Sequence, residues 1–218
     1  MPRRKARASR SANSKDLAKE LGTRLRENRE KRGLSIRGLA RYLDMSPAMI
    51  SQIELGHGMP SVATLYAVAN QLKIGIDDLF RDAHEHAQKP DAPPAHQDSP
   101  VQSVKTRKII RLSKGIRWER LTPKPDPEIE FYWVVYDVGA ESCPKDSLIR
   151  HGGIEYGCII RGRLGLKIGF EEYLLGPGDS ISFDPQVPHR QWTVGKQPAE
   201  AIWVVNNRHS DTRKRLLS

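Results

Sequence analysis

The stretch LSIRGLARYLDMSPAMISQIELG, residues 34–56, decides how the first half of this chain is read. Ile36, Leu39, Ala40 and Leu43 recur at the i, i+3, i+4, i+7 spacing of a helix with one apolar face. Ser35 and Ser46 stand where N-caps belong, and Pro47 takes the first helical position, where a missing N–H costs nothing. Two short helices with a tight turn at Asp44-Met45 have the length and shape of a helix-turn-helix unit. On the second helix Ile50 and Ile53 point inward, and Ala48, Met49, Ser51 and Gln52 point outward. A buried helix would be apolar on that side too, and an ordinary solvated one would carry Glu and Lys. Short uncharged side chains suit a helix that enters the major groove, where the Gln52 amide can pair with adenine.

Working outward, Leu65, Val68, Ala69 and Leu72 repeat the helical spacing behind a third cap, Ser61. Residues 16–82 thus read as an all-α bundle of about five short helices. The opening MPRRKARASRSANSK is basic, small and polar, so residues 1–15 read as a disordered arm, either following phosphates or only solubilising the chain. It has no apolar core of a signal peptide. Residues 83–103, rich in Pro, Ala, Asp, Gln and His, read as a flexible linker, and His84, His86 and His96 have no scaffold there to converge them on a metal.

Beyond Val104 the pattern changes to strands. EFYWVVYDV, EYGCIIRG, RLGLKIGF, DSISF and EAIWVVN are short, rich in β-branched and aromatic residues, and punctuated by Gly and Pro. They predict an antiparallel all-β jelly roll over residues 104–209, followed by a basic tail at 210–218. Tyr132, Tyr136, Trp192 and Trp203 are candidates to line its mouth as ligand-binding residues.

The net charge of +10 and pI near 9.7 favour a polyanionic partner, nucleic acid ahead of membrane. No run of about 18 apolar residues offers a membrane span. Two cysteines, Cys143 and Cys158, make no disulfide framework, and a reduced cytoplasmic setting is expected.

Residues 17–80 resemble the DNA-binding domain of the XRE family, the phage repressor and Cro type, through RLRENREKRGLSIRGLA, MSPAMISQIELG, PSVATLYAVANQL and IDDLF. The resemblance places recognition positions on Ser46, Pro47, Ala48, Ser51 and Gln52, and phosphate-clamping positions near Ser35, Ile36 and His57. It also implies a buried ion pair between Arg29 and Glu54. Two positions depart from the family: Asp44 stands where Gly is usual in the turn, and Gly38 where an acidic residue is common.

In IRHGGIEYG, residues 149–157, a strand period of two places residues 149, 151 and 155 on one face unless Gly152-Gly153 inserts a bulge. About thirty-five residues on, GPGDSISFDPQVPHRQW ends with His189 behind Pro188. His, carboxylate and His from neighbouring strands are the facial set of non-haem iron and open zinc sites. With the Gly-Pro-Gly-Asp turn, the pattern resembles the two motifs of the cupin fold. The resemblance carries metal ligands over to His151, Glu155 and His189 and leaves Ile149 where many cupins have a further His. Two outcomes stay open: a three-ligand site for one divalent metal (Zn, Fe, Mn or Ni), or a metal-free pocket that hydrogen-bonds an organic ligand.

Helix-turn-helix, linker and cupin in that order resemble bacterial one-component regulators. The resemblance implies a non-enzymatic transcription factor that binds a double-stranded DNA operator as a homodimer and senses a small-molecule effector. The alternative is a non-haem iron cupin enzyme of the oxidase or epoxidase type, since hydroxypropylphosphonate epoxidases share the domain order.

Overall fold

Five helices precede nine strands in the computed structural model, which describes residues 3–79 and 99–206. The chain forms two compact units, one built around the helices and one around the strands. The expectations for residues 83–98 and for the tail at 210–218, including His84, His86 and His96, lie outside the described residues.

The helices are α1 (Arg3–Lys31), α2 (Ile36–Tyr42), α3 (Pro47–Glu54), α4 (Val62–Leu72) and α5 (Ile76–Leu79). The first differs from the disordered arm expected at residues 1–15, because α1 begins at Arg3. That segment holds good helix formers and no proline after Pro2, so the backbone propagates back from the packed part of the helix. The packed part is marked by Ala18, Leu21 and Leu25, which are buried with Leu39 and Ala40 of α2 and Ile50 and Ile53 of α3. In α4 the periodic residues of the sequence, Leu65, Val68, Ala69 and Leu72, are buried, and so are Val62 and Tyr66.

The caps act as the sequence indicates. Ser35 Oγ accepts from Gly38 N at 3.0 Å, Ser46 Oγ from Met49 N at 3.1 Å, and Ser61 Oγ from Thr64 N at 3.1 Å. Asp44, in the turn between α2 and α3, takes the left-handed conformation, φ 52°. Asp tolerates it because its short polar side chain can satisfy nearby backbone groups.

Helices α1 and α3 are bound together at two places. Arg29 Nε donates to Glu54 Oε1 at 2.6 Å and a terminal nitrogen to Glu54 Oε2 at 2.9 Å, a buried bidentate pair. The third nitrogen of Arg29 donates to Leu34 O at 2.7 Å, so the pair also fixes the entry to α2. About two helical turns upstream of Arg29, a Cβ on Gly22 would meet Ile53 O at 2.4 Å and Glu54 O at 2.5 Å. Ala at a helical Gly normally gains about 1 kcal/mol. Here backbone oxygens block it, so Gly22→Ala is expected to lose stability on balance, by up to about 3 kcal/mol of overpacking strain, read by urea denaturation.

The strands are β1 (Ile109–Arg111), β2 (Ile116–Arg120), β3 (Ile129–Tyr136), β4 (Ile154–Arg161), β5 (Leu164–Ile168), β6 (Glu171–Leu175), β7 (Ser180–Phe183), β8 (His189–Thr193) and β9 (Ala199–Asn206). They form two antiparallel sheets, ordered β1-β2-β3-β9-β4-β7 and β6-β5-β8, the layered arrangement of a cupin jelly roll. Strand periodicity sets which side chains are enclosed. Tyr132, Val134 and Tyr136 of β3, Glu155 and Ile159 of β4, and Ala201, Trp203 and Val205 of β9 are buried.

Candidate functional site

On α3 the two faces separate as the apolar spacing requires. Ile50 and Ile53 are buried, Ser46, Pro47, Ala48 and Gln52 are exposed, and Ser51 is half-buried. Ser35 is exposed at the start of α2, and Ile36 half-buried. His57, just beyond α3, places Nδ1 2.8 Å from Gln52 Oε1, an interaction that sequence reasoning missed because it joins a helix residue to a loop residue five positions on. Arg37, exposed beside Ser35 and Ile36, is a cation on the same rim that the recognition spacing did not single out.

In the strand unit, His151, Glu155 and His189 are brought together and buried. They do not lie along one strand. Ile149 forms an isolated bridge to His189, Gly153 turns the chain with φ 98°, and β4 starts only at Ile154. The expected single face over residues 149–155 is therefore broken at the Gly152-Gly153 pair, and His151 reaches Glu155 from a turn. His189 opens β8, held beside Ile149 by reciprocal backbone bonds of 2.8 and 3.0 Å.

The proton placement follows from the partners. His151 Nδ1 lies 3.0 Å from Gly152 O, and His189 Nδ1 lies 3.1 Å from Val187 O. A carbonyl only accepts, so each Nδ1 carries a hydrogen, and each ring turns its Nε2 toward Glu155. Those nitrogens are 2.6 and 3.6 Å from Glu155 Oε1. The shorter approach lacks hydrogen-bond alignment, leaving His151 Nε2 a buried polar atom with no hydrogen-bond partner. Ligand atoms of all three residues lie within 4.8 Å of one another. Two inward imidazole Nε2 atoms and a carboxylate in a buried cluster fit a divalent cation, with both Nδ1–H groups fixing the rings as outer-shell partners do.

Glu155 Oε2 is satisfied separately, accepting from Trp203 Nε1 at 2.9 Å. The indole reaches that position because Gly157 has no side chain, and a Cβ there would lie 2.2 Å from the Trp203 ring. Burial alone would raise the Glu155 carboxyl, but His151, His189 and the Trp203 donor outweigh it and hold it below the usual carboxylate range. His189 is pushed below the usual imidazole value by burial, against the pull of Glu155. Protons therefore bind the unfolded chain more readily at both groups, and acid favours unfolding. The strand unit should keep full stability above about pH 6.5, the unfolded His value, and melt at progressively lower temperature toward pH 5. Calorimetry of the intact chain over that range checks this, and a flat profile would contradict it.

The strands contribute Trp118, Tyr132, Val134, Tyr136, Glu155, His189, Gln191 and Trp203, and the preceding loop Ile149, to the lining of the cavity beside this cluster. Tyr136 Oη donates to Gln191 Oε1 at 2.6 Å, and burial raises the phenol well above its ordinary value, so it stays protonated. Of the four aromatic candidates, Tyr132, Tyr136 and Trp203 line the cavity. Trp192 does not: on β8 the period of two puts His189 and Gln191 inward and Trp192 opposite, over Gly165 and under the Arg190 guanidinium at 4.7 Å. Trp118 and Gln191 were legible only as members of β2 and β8, two strands whose short, charge-interrupted sequences carry a weak signal.

The two units define a protein that joins a helix-turn-helix bundle to a cupin barrel. Residues 25–79 match the helix-turn-helix family HTH_3, and residues 132–205 match the cupin domain family Cupin_2. The chain is similar to the HTH-type transcriptional regulator SutR of Escherichia coli K12, 26% identical over 182 residues that cover 84% of this chain and 92% of that one. It is also similar to the HTH-type transcriptional regulator PuuR of Escherichia coli K12, 25% identical over 170 residues, 77% of this chain and 84% of that one. Among solved structures, an HTH_3 family transcriptional regulator from Vibrio cholerae superposes with a TM-score of 0.65 at 20% identity, covering 88% of this chain and 98% of that chain.

Proposed function

We propose that this protein is a sequence-specific, DNA-binding transcriptional regulator whose cupin cavity binds a small-molecule effector. The observation that carries the reading is α3, an exposed row of short, uncharged side chains standing on buried Ile50 and Ile53. The names of the relatives, which are HTH-type transcriptional regulators across most of their length, support it. Ser46, Pro47, Ala48, Ser51 and Gln52 would face base edges in the major groove, with Ser35, Ile36 and His57 against phosphates. The hydroxyls of Ser35 and Ser46 accept from their own helices and keep their protons, the first for a phosphate oxygen and the second for a base edge. A homodimer on a palindromic operator would set half-sites about 34 Å apart, or a multiple of that. Such a protein works in the cytoplasm, and no helix among the described residues is long and apolar enough to cross a membrane.

In the cupin unit His151, Glu155 and His189 would hold a divalent ion, and Tyr132, Tyr136 and Trp203 would bound the effector. A bound ion supplies a Lewis-acidic centre with open positions for an anionic or oxygen-bearing group. The protein's own part is to orient the imidazoles through Gly152 O and Val187 O, hold Glu155 ionised, and offer the Tyr136–Gln191 pair as a polar wall. We assign the site to sensing rather than catalysis, because the reading surface on α3 is intact. An effector that discriminates two dimer geometries typically shifts affinity by about 1–3 kcal/mol, enough to change operator occupancy severalfold.

The test is binding of the purified chain to its own promoter region, with and without a metabolite panel, beside His151→Ala. Sensing predicts that His151→Ala keeps DNA binding and loses the metabolite response. Absence of sequence-specific binding under every condition would sink the regulator reading, and stoichiometric iron with substrate-dependent O₂ consumption would favour an enzyme. Gln52→Ala should cost about 1–3 kcal/mol on the preferred operator and relax base preference at one position per half-site. Competition against operators changed at each position reads both effects.

A further inference from the structure

In most antiparallel sheets one face packs on the core and the other meets water, so outward residues are polar. The six-stranded sheet departs from this at its centre. Its register aligns three outward rows across β3, β9 and β4: Ile129–Asn206–Ile154, Phe131–Val204–Tyr156 and Trp133–Ile202–Cys158. Within these rows Tyr156 is 44% and Ile129 40% exposed, and Ile160 beside them is 45% exposed. Phe131, Trp133, Cys158, Ile202 and Val204 are half-buried. The rows hold no charged residue. Charge appears at the margins, where Arg117 pairs with Glu119 at 3.1 Å and Arg161 with Glu200 at 3.6 Å, and where Arg107, also paired with Glu119 at 3.1 Å, reaches over the Trp133 ring at 5.9 Å.

We propose that this face is the surface through which two copies of the chain associate. An apolar, aromatic centre with a paired polar rim is the anatomy of a protein–protein interface. An isologous contact sets a surface against itself, which a patch of one sign would oppose. Here the centre is neutral and each marginal carboxylate already has a cation, so self-association strands no charge. The chain's own undescribed segments are poor occupants. Residues 207–218 carry four Lys or Arg against one Asp and would find no acidic group in the rows, and residues 83–98 are dominated by Pro, Ala, His and charged side chains. The proposal goes beyond the operator reading, which calls for a dimer and leaves its surface open.

The test uses the full-length chain in sedimentation equilibrium over a wide concentration range, with Val204→Glu and Tyr156→Lys as variants. A dimer is expected for the natural chain. Each variant should weaken it by at least about thirtyfold, the effect of losing one central contact at an interface. Circular dichroism and melting check that the variants fold. Should Val204→Glu fail to fold, Tyr156→Lys decides, since that side chain is already exposed. A natural chain that stays monomeric would overturn the proposal and give the face to another segment or a different partner. Folded variants that remain dimeric would overturn it equally, placing the dimer elsewhere. A dimer that dissociates in the variants but binds no operator leaves this surface standing and defeats the regulator reading instead.

Discussion

Arg29→Ala is expected to cost the helical unit about 3–5 kcal/mol, because it strands the Glu54 carboxylate in a buried position. Glu54→Ala should be nearly as severe, since it removes both buried carboxylate bonds and leaves the guanidinium with Leu34 O and a long 3.5 Å contact to Glu30 Oε1. A guanidinium keeps its proton in proteins even without a carboxylate partner, so deprotonating the stranded cation is no escape. A loss of that size approaches the whole stability of a small domain, and DNA binding should fall with it. The double variant Arg29→Met with Glu54→Leu separates the pair's two roles. Replacing both charges with apolar side chains of similar volume is often neutral or stabilising, so the double variant should recover most of the loss. Urea denaturation of the natural chain, the two single variants and the double variant measures this. If the single variants lose less than about 1 kcal/mol, the pair is solvated and the structural role assigned to it is wrong.

Glu155→Ala is expected to remove divalent-metal binding from the cupin unit, measured by calorimetric titration and by metal content after dialysis. Glu155 supplies the anionic ligand, and without it two neutral imidazoles remain, fewer than an open catalytic or sensing site uses. Trp203→Phe gives the graded control. It keeps the ring over Gly157 but removes the donor to Glu155 Oε2, and such outer-shell losses typically weaken metal about ten- to a hundredfold. The natural chain should bind one ion, Trp203→Phe should bind it more weakly, and Glu155→Ala should not bind it. If the natural chain takes up no Zn, Fe, Mn or Ni, the cluster is an organic-ligand site. Effector affinity would then respond to Glu155→Ala without any metal dependence.

The helical unit was legible almost residue by residue. Its signals are local: a cap, the helix it starts, and an apolar spacing of 3.6 all fall within about four residues of each other. Ser35, Ser46 and Ser61 cap as read, Ile50 and Ile53 are buried as read, and Asp44 adopts the left-handed turn. The exception is the start of α1. Composition marks residues 1–15 as unable to bury apolar surface, but a helix needs only backbone bonds to continue from an anchored end.

For the strand unit the sequence itself determined the class and the three converging residues, through the Gly-Pro-Gly-Asp turn and the two histidines flanking a glutamate. Tertiary structure decided the rest. Gly153 breaks the strand between His151 and Glu155, so the pair meets across a turn. Pairing of β4 with β9 brings Trp203 onto Glu155 from 48 residues away. The direction of β8 turns Trp192 out of the cavity and Gln191 into it. These are cross-strand facts. A period of two says that alternate residues share a face, but only the partner strand says which face is inside. One residue of slip exchanges them.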